Sequence, residues 1–203
     1  MLGKMKIEDK ILESEELIRW MDKKIAGLEV SSDERAIFSA SLFDVALEHQ
    51  KAIVLLIAKE LVGSAFSLAR ILTEAYHKGV WIRKCASENE IEIFKKDKLK
   101  IDFGDLIKDI EQQDGYQAGI LSKVKAVNWK AMNSYTHSGF LQVVRRSKEK
   151  TIEPDYSEDE ILEVLDNANA IGMLSAMQIA SMADNYELAN ELLDKVEMYS
   201  KKP

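Results

Sequence analysis

Proline is nearly absent from this chain of 203 residues: Pro154 and Pro203 are the only two. No helix before residue 150 therefore meets a ring that removes a backbone donor and clashes with the preceding turn. Apolar residues recur at three- and four-residue intervals throughout, and no alternating run of useful length competes with them. The chain is expected to be all-α, an antiparallel helical bundle of about seven helices.

Local signals place the elements. A helix over about 7–26 stops near Gly27. Ser31-Ser-Asp-Glu34 reads as a capping box that opens a helix to about 60, and a third helix covers about 63–86. Ser87-Glu-Asn-Glu90 opens a short helix to about 97. Residues 102–113 form another, ended by the Asp114-Gly115 turn pair. Helices follow over about 117–137, from the box Ser157-Glu-Asp-Glu160 to about 183, and over 185–200. Ala168, Gly172, Ser175, Ala176 and Ala180 make the 157–183 helix small-sided, which suits close helix packing or dimerisation. The expected layout is one helical domain over 1–203. Its core bundle covers about 7–144, an exposed connection about 145–157, and a C-terminal helical pair about 158–200.

Composition narrows the class. Apolar residues make up 46% and charged residues 31%, the balance of a chain that buries a core. The longest apolar run, residues 52–58, is far too short to cross a bilayer, so no membrane is expected. The first residues lack a signal-peptide stretch, and Cys85 is the only cysteine. A cytoplasmic location is the corresponding expectation, with no internal disulfide and no cysteine-clustered zinc. Net charge is −7, against generic nucleic-acid binding, but it is unevenly spread. Residues 123–150 carry seven lysines and arginines against Glu149 alone, an excess of +6, while residues 151–203 sum to −9. The basic segment reads either as a solvated face or as an anion-binding rim.

Two polar stripes carry what chemistry there is. Arg70, Glu74, His77 and Trp81 fall at i, i+4, i+7 and i+11 of one helix, within about 40° of one line. They read as an i, i+4 ion pair on a plain surface, or as one wall of a half-covered groove, since Phe66 and Trp81 share that side. Trp129, Asn133 and His137 form the second stripe, running into Ser138-Gly139 with Lys130 beside it. His137 closes its helix, where the backbone dipole favours imidazolium. It reads as a C-cap, or as a general acid/base oriented by Asn133 beside cationic phosphate ligands. His49 lies in line with Leu42, Val45, Ala46, Ile53 and Leu56, so it is expected in the core or reaching toward the helix of the first stripe.

Glu74-x-x-His77 is half of a di-iron bundle motif whose second half is missing, which leaves a three-histidine metal site as the one remaining metal arrangement. Neither a glycine-rich phosphate loop nor a catalytic serine or cysteine pattern occurs. No metal and no cofactor are expected.

The pattern Ala69-Arg70-x3-Glu74-x4-Gly79-x-Trp81 and the block Asn133-Ser-Tyr-Thr-His137-Ser-Gly139, followed by Gln142 and Arg145-Arg146, resemble an uncharacterised family of bacterial all-helical proteins over residues 40–180. A more distant likeness is to HEPN ribonucleases, whose motif is an arginine, usually a polar residue, three variable residues and a histidine. Asn133 and His137 match it. Met132 stands in the arginine's place, so Arg70, Arg145 or Arg146 would have to supply that cation from elsewhere in the fold. The resemblance implies a metal-independent ribonuclease or toxin-type protein of defence or stress systems, with its site at a dimer interface. His137, Asn133, Arg145 and Arg146 would be catalytic, and Arg70, Glu74, His77, Trp81 and Lys130 would bind. The alternative is a non-enzymatic interaction or small-ligand-binding module. A homodimer, RNA or another anionic ligand, and a protein partner are the candidate partners.

Overall fold

The computed structural model describes residues 6–116, 118–148 and 150–200, with side chains to residue 198. The chain's first five residues, Gln117 at the expected start of a helix, Glu149 and Pro203 lie outside the described residues. The described chain is all-α. Its helices are α1 (Ile7–Ile25), α2 (Glu34–Ala58), α3 (Val62–Lys84), α4 (Glu88–Lys95), α5 (Phe103–Glu111), α6 (Ile120–Thr136), α7 (Phe140–Val144), α8 (Glu158–Met182) and α9 (Tyr186–Ser200). Among the described residues the only β feature is a single bridge between Lys148 and Thr151. No helix among them is long and apolar enough to cross a membrane.

The capping residues act largely as their types dictate. Ser87 with Glu90, and Ser157 with Glu160, form reciprocal boxes in which each satisfies an otherwise orphaned backbone donor. The expected box at Ser31 is replaced by a cap one turn-step later. The Asp33 carboxylate accepts from the Ala36 amide at 2.9 Å, while the Ser31 hydroxyl donates to Asp33 at 2.6 Å. A carboxylate is the stronger acceptor, so α2 starts at Glu34 rather than at Ser31. At the far end of α3, Arg35 of α2 donates to the Ile82 and Ala86 carbonyls at 2.7 and 2.6 Å. Orphan acceptors at a helix end are thereby satisfied by a cation, which also suits the backbone dipole.

Helix α2 packs along α3 and α8; α8 also meets α1, α3 and α9; α6 rests on α3 and α5, with α7 against α6. The small side of α8 serves packing inside this chain: Ala168, Met173, Ser175, Ala176 and Ala180 are fully buried. The principal core gathers Phe43, Ile53, Leu72, Trp81, Ile82, Leu106, Ile107, Ile110 and Leu165. Gly79, the glycine of the first block, lets the Phe43 ring lie on α3: a Cβ there would sit 2.7 Å from the ring.

A buried polar ladder ties α1, α2 and α8. Gln50 donates to Asn169 at 3.1 Å, Asn169 to the Ser14 hydroxyl at 2.8 Å, and Ser14 to the Lys10 carbonyl at 2.7 Å. Gln50, not His49, is the polar side chain that α2 buries against α8; His49 is half-buried at the edge, where desolvation pushes its pKa down. The apolar line through Val45 and His49 was one position out of register with the buried face, since Val45 is exposed. Gly172 faces Gln50 so closely that a Cβ would lie 2.0 Å from Gln50 Oε1. Gly172→Ala should gain about 1 kcal/mol of helix propensity. Displacing a buried, bonded amide outweighs that gain, and we expect a net loss of about 1–2 kcal/mol in urea unfolding. An unchanged or raised midpoint would show that the ladder can shift freely.

Candidate functional site

Ser67 holds α6 on α3. Its hydroxyl proton is shared between the Tyr135 carbonyl of α6 and the Gly63 carbonyl of its own helix, each at 2.9 Å, its carbonyl accepts from the Thr136 hydroxyl at 3.1 Å, and Gln142 donates to its hydroxyl at 3.2 Å. These bonds turn the two polar stripes toward each other, and Arg70 is where they meet. Its guanidinium donates to Glu74 at 2.9 Å, lies over the Trp129 ring with the guanidinium carbon 4.8 Å from the centroid, and reaches His137 Nε2 with Nη1 at 2.6 Å. Trp129 in turn stacks on Phe103 of α5 at 4.1 Å, and Phe103 meets the His77 ring edge-on at 5.6 Å. One seam therefore runs from His137 through Arg70, Trp129 and Phe103 to His77. Arg70 is 19% exposed and Glu74 33%, so this ion pair is no plain solvent face.

Hydrogen-bond chemistry assigns the histidine protons. Arginine can only donate, so His137 Nε2 accepts and the ring proton sits on Nδ1. His77 donates Nδ1–H to the Thr73 carbonyl at 2.8 Å, leaving the lone pair on Nε2. Burial pushes the His77 pKa down to about 4, with the Thr73 bond opposing only part of that shift. Cys85 is no nucleophile in waiting, because burial pushes its thiol up to about 11.

The remaining expected site residues are dispersed. Trp81 is 1% exposed, donates to Asp109 Oδ2 at 3.0 Å, and lines neither cavity described below, so the expected wall on α3 ends at His77. Arg145 is paired with Glu160, with a long bond to the Asp155 carbonyl at 3.5 Å. The Arg146 guanidinium lies over Gly63, 2.6 Å from where a Cβ would be. Asn133 does not orient His137 through its side chain: its Oδ1 is buried without a hydrogen-bond partner, while its backbone carbonyl accepts from the His137 amide at 3.1 Å. Lys130 is exposed on α6. No group of three or more histidine, cysteine, aspartate or glutamate side chains able to hold a metal occurs among the described residues, so the three histidines do not assemble.

The turn after His137 is tight. Ser138 takes φ +51°, and the Gly139 amide reaches back to the Ser134 carbonyl at 2.7 Å. Gly139 is needed for close approach rather than for a left-handed backbone, since a Cβ would sit 2.6 Å from Ser134 Oγ.

Two cavities flank α6, of 320 and 290 Å³, and both are walled by α3, α6 and α8. Asn128, Met132 and Asn167 border both. Met132, in the place where the ribonuclease motif has its arginine, is thus an apolar divider between two cavities. Sequence reasoning missed Phe103, Thr73 and Glu160. Phe103 and Glu160 come from distant elements with no spacing relation to the stripes. Thr73, one turn before His77, was legible at i−4.

A family model described as a family of unknown function (DUF6988) matches residues 43–202, so the chain belongs to that family. No curated protein and no solved structure matches it.

Proposed function

We propose that this member of a family of unknown function is a metal-independent ribonuclease of HEPN-like type, a toxin or defence protein, centred on His137 and Arg70. The observation that carries the reading is the 2.6 Å contact between Arg70 Nη1 and His137 Nε2. It places an arginine against the exposed histidine although Met132 occupies the motif position. Arg70 takes the part that the sequence left open among three arginines: it is the one in contact with His137, while Arg145 is paired with Glu160 and Arg146 is exposed with its guanidinium over Gly63.

In this reading a phosphodiester docks on the guanidinium, which favours phosphate over a neutral imidazole. His137 Nε2 is released and takes the proton of the adjacent ribose 2′-hydroxyl. That oxygen forms a bond to phosphorus, the bond from phosphorus to the 5′-oxygen breaks, and water protonates the leaving oxygen. Glu74 and Trp129 position Arg70, and Lys130 adds charge along the strand's path.

The test is cleavage of an end-labelled single-stranded RNA by the full chain in excess chelator. Cleavage should persist without divalent metal and fall about 100-fold or more in His137→Ala, and similarly in Arg70→Met. Absence of cleavage by the unaltered protein, or His137→Ala cutting at the same rate, sinks the reading.

A second reading, a non-enzymatic interaction module, is favoured by apolar side chains left in solvent around α6 and α7, Val127 at 77% and Phe140 at 76% exposure. RNA left intact, together with concentration-dependent mass in light scattering, would favour it.

A further inference from the structure

The 290 Å³ cavity lies on the opposite stretch of the seam from His137 and includes neither His137 nor Arg70 in its lining. Its walls are the aromatic rings of Tyr76, Phe103 and Trp129 and the aliphatic side chains of α8, with His77 set among them. Two of its hydroxyl groups are bonded within the protein. The Thr73 hydroxyl donates to the Ala69 carbonyl at 2.8 Å, and the Tyr116 hydroxyl accepts from Gln178 at 3.2 Å. Lys125, Asn128 and Asn167 are half-buried parts of the lining, whereas His77 is buried among the rings. The residue is 9% exposed and its Nδ1 is held by Thr73, so Nε2 carries a lone pair with no protein partner among the described residues. Such an atom in an apolar setting is a single, directional acceptor awaiting a donor.

We propose that this cavity binds a small, uncharged, planar aromatic molecule with one hydrogen-bond donor, which the donor directs at His77 Nε2. An apolar cavity of about 150 Å³ takes a benzene ring, so this one suits a bicyclic ring of about nine or ten heavy atoms, the size of indole. Aromatic walls favour a ring over a flexible chain through edge and face contacts, and a rigid ring loses little conformational freedom on binding. The site is independent of the nuclease reading, and its test does not depend on RNA cleavage.

The experiment titrates the full chain with indole and, separately, with indene, which has the same shape and no donor, at neutral pH by calorimetry. Indole should bind about 10-fold or more tightly than indene, and His77→Phe should bring the two affinities together. Ala170→Phe, which projects a ring into the cavity from α8, should weaken both by at least about 10-fold. Intermolecular nuclear Overhauser contacts from bound indole to the Phe103 and Trp129 rings should appear in the unaltered protein, so the outcome does not rest on a variant that fails to fold. Failure of both ring compounds to bind overturns the proposal. So does an indole preference that survives in folded His77→Phe, or bound indole without contacts to Phe103 and Trp129.

Discussion

Trp81→Ala is expected to lower the unfolding free energy by about 3–5 kcal/mol, among the largest effects of any single side chain in this fold. The indole is 1% exposed within the principal core, between α3 and its neighbours, and removing it leaves a cavity that a close-packed surround can only partly close. It also donates from Nε1 to Asp109 at 3.0 Å and so pins α5 to α3. Truncation strands that carboxylate beside an apolar void, which adds to the cavity term. Trp81→Phe keeps an aromatic ring in the core but removes the donor and part of the ring volume, and should cost about 1–2 kcal/mol. Urea unfolding followed by circular dichroism checks both. A loss below about 1 kcal/mol for the alanine variant would mean that the α3–α5 contact is not integral to the cooperative unit. The tryptophan of the first block is in this view a core residue, and its regular spacing after Arg70 and His77 reflects helix geometry rather than shared chemistry.

Stability should also fall with acidification through His77. Its pKa is about 4 in the folded chain against an ordinary 6.5, because burial disfavours the charged ring. Between these values the unfolded chain binds the proton and the folded one does not. The contribution of His77 is therefore fully present above pH 6.5, declines as the pH falls, and is exhausted below about 4. The shift corresponds to roughly 3 kcal/mol over that window. His77→Gln should remove the pH dependence due to this site, so the gap between variant and parent unfolding free energies should narrow or reverse as the pH is lowered from 6.5 to 4. Two curves that run parallel across the window would mean that His77 titrates much as it does in the unfolded chain. Carboxylates titrate in the lower part of the same range, which is why the difference between the two proteins, and not the parent curve alone, carries the result.

The expected destabilisation from Trp81 and the acid response of His77 rest on neighbours that no local pattern names. Helix positions, by contrast, were legible to within a few residues, because caps, glycines and apolar periodicity act over four or five positions. Ser87, Asp102 and Ser157 satisfy amides of their own first turns. The short α7 was not legible, and neither was the α2 cap at Asp33, a choice between two neighbouring acceptors. The line through Val45 and His49 failed because α2 is apolar nearly all round, so its sequence does not mark which side meets α8. Gln50 is drawn inward there by Asn169.

The two polar stripes that motivated a site divide along the same boundary. The 3.6-residue period by itself determined that Arg70, Glu74 and His77 share one side of α3, and that Trp129, Asn133 and His137 share one side of α6. Only the tertiary structure decided that the stripes meet, because Ser67 holds α6 in one register on α3 across 68 residues of chain. That contact makes Arg70 the partner of His137 and so makes Nε2 the acceptor of that ring, whereas the His77 ring is held by Thr73 within α3; Arg145 goes to Glu160 instead. It also sets His77 beside Phe103, from a helix whose sequence has no relation to either stripe. Periodicity is a property of one helix, whereas burial and cavities are properties of the space between helices.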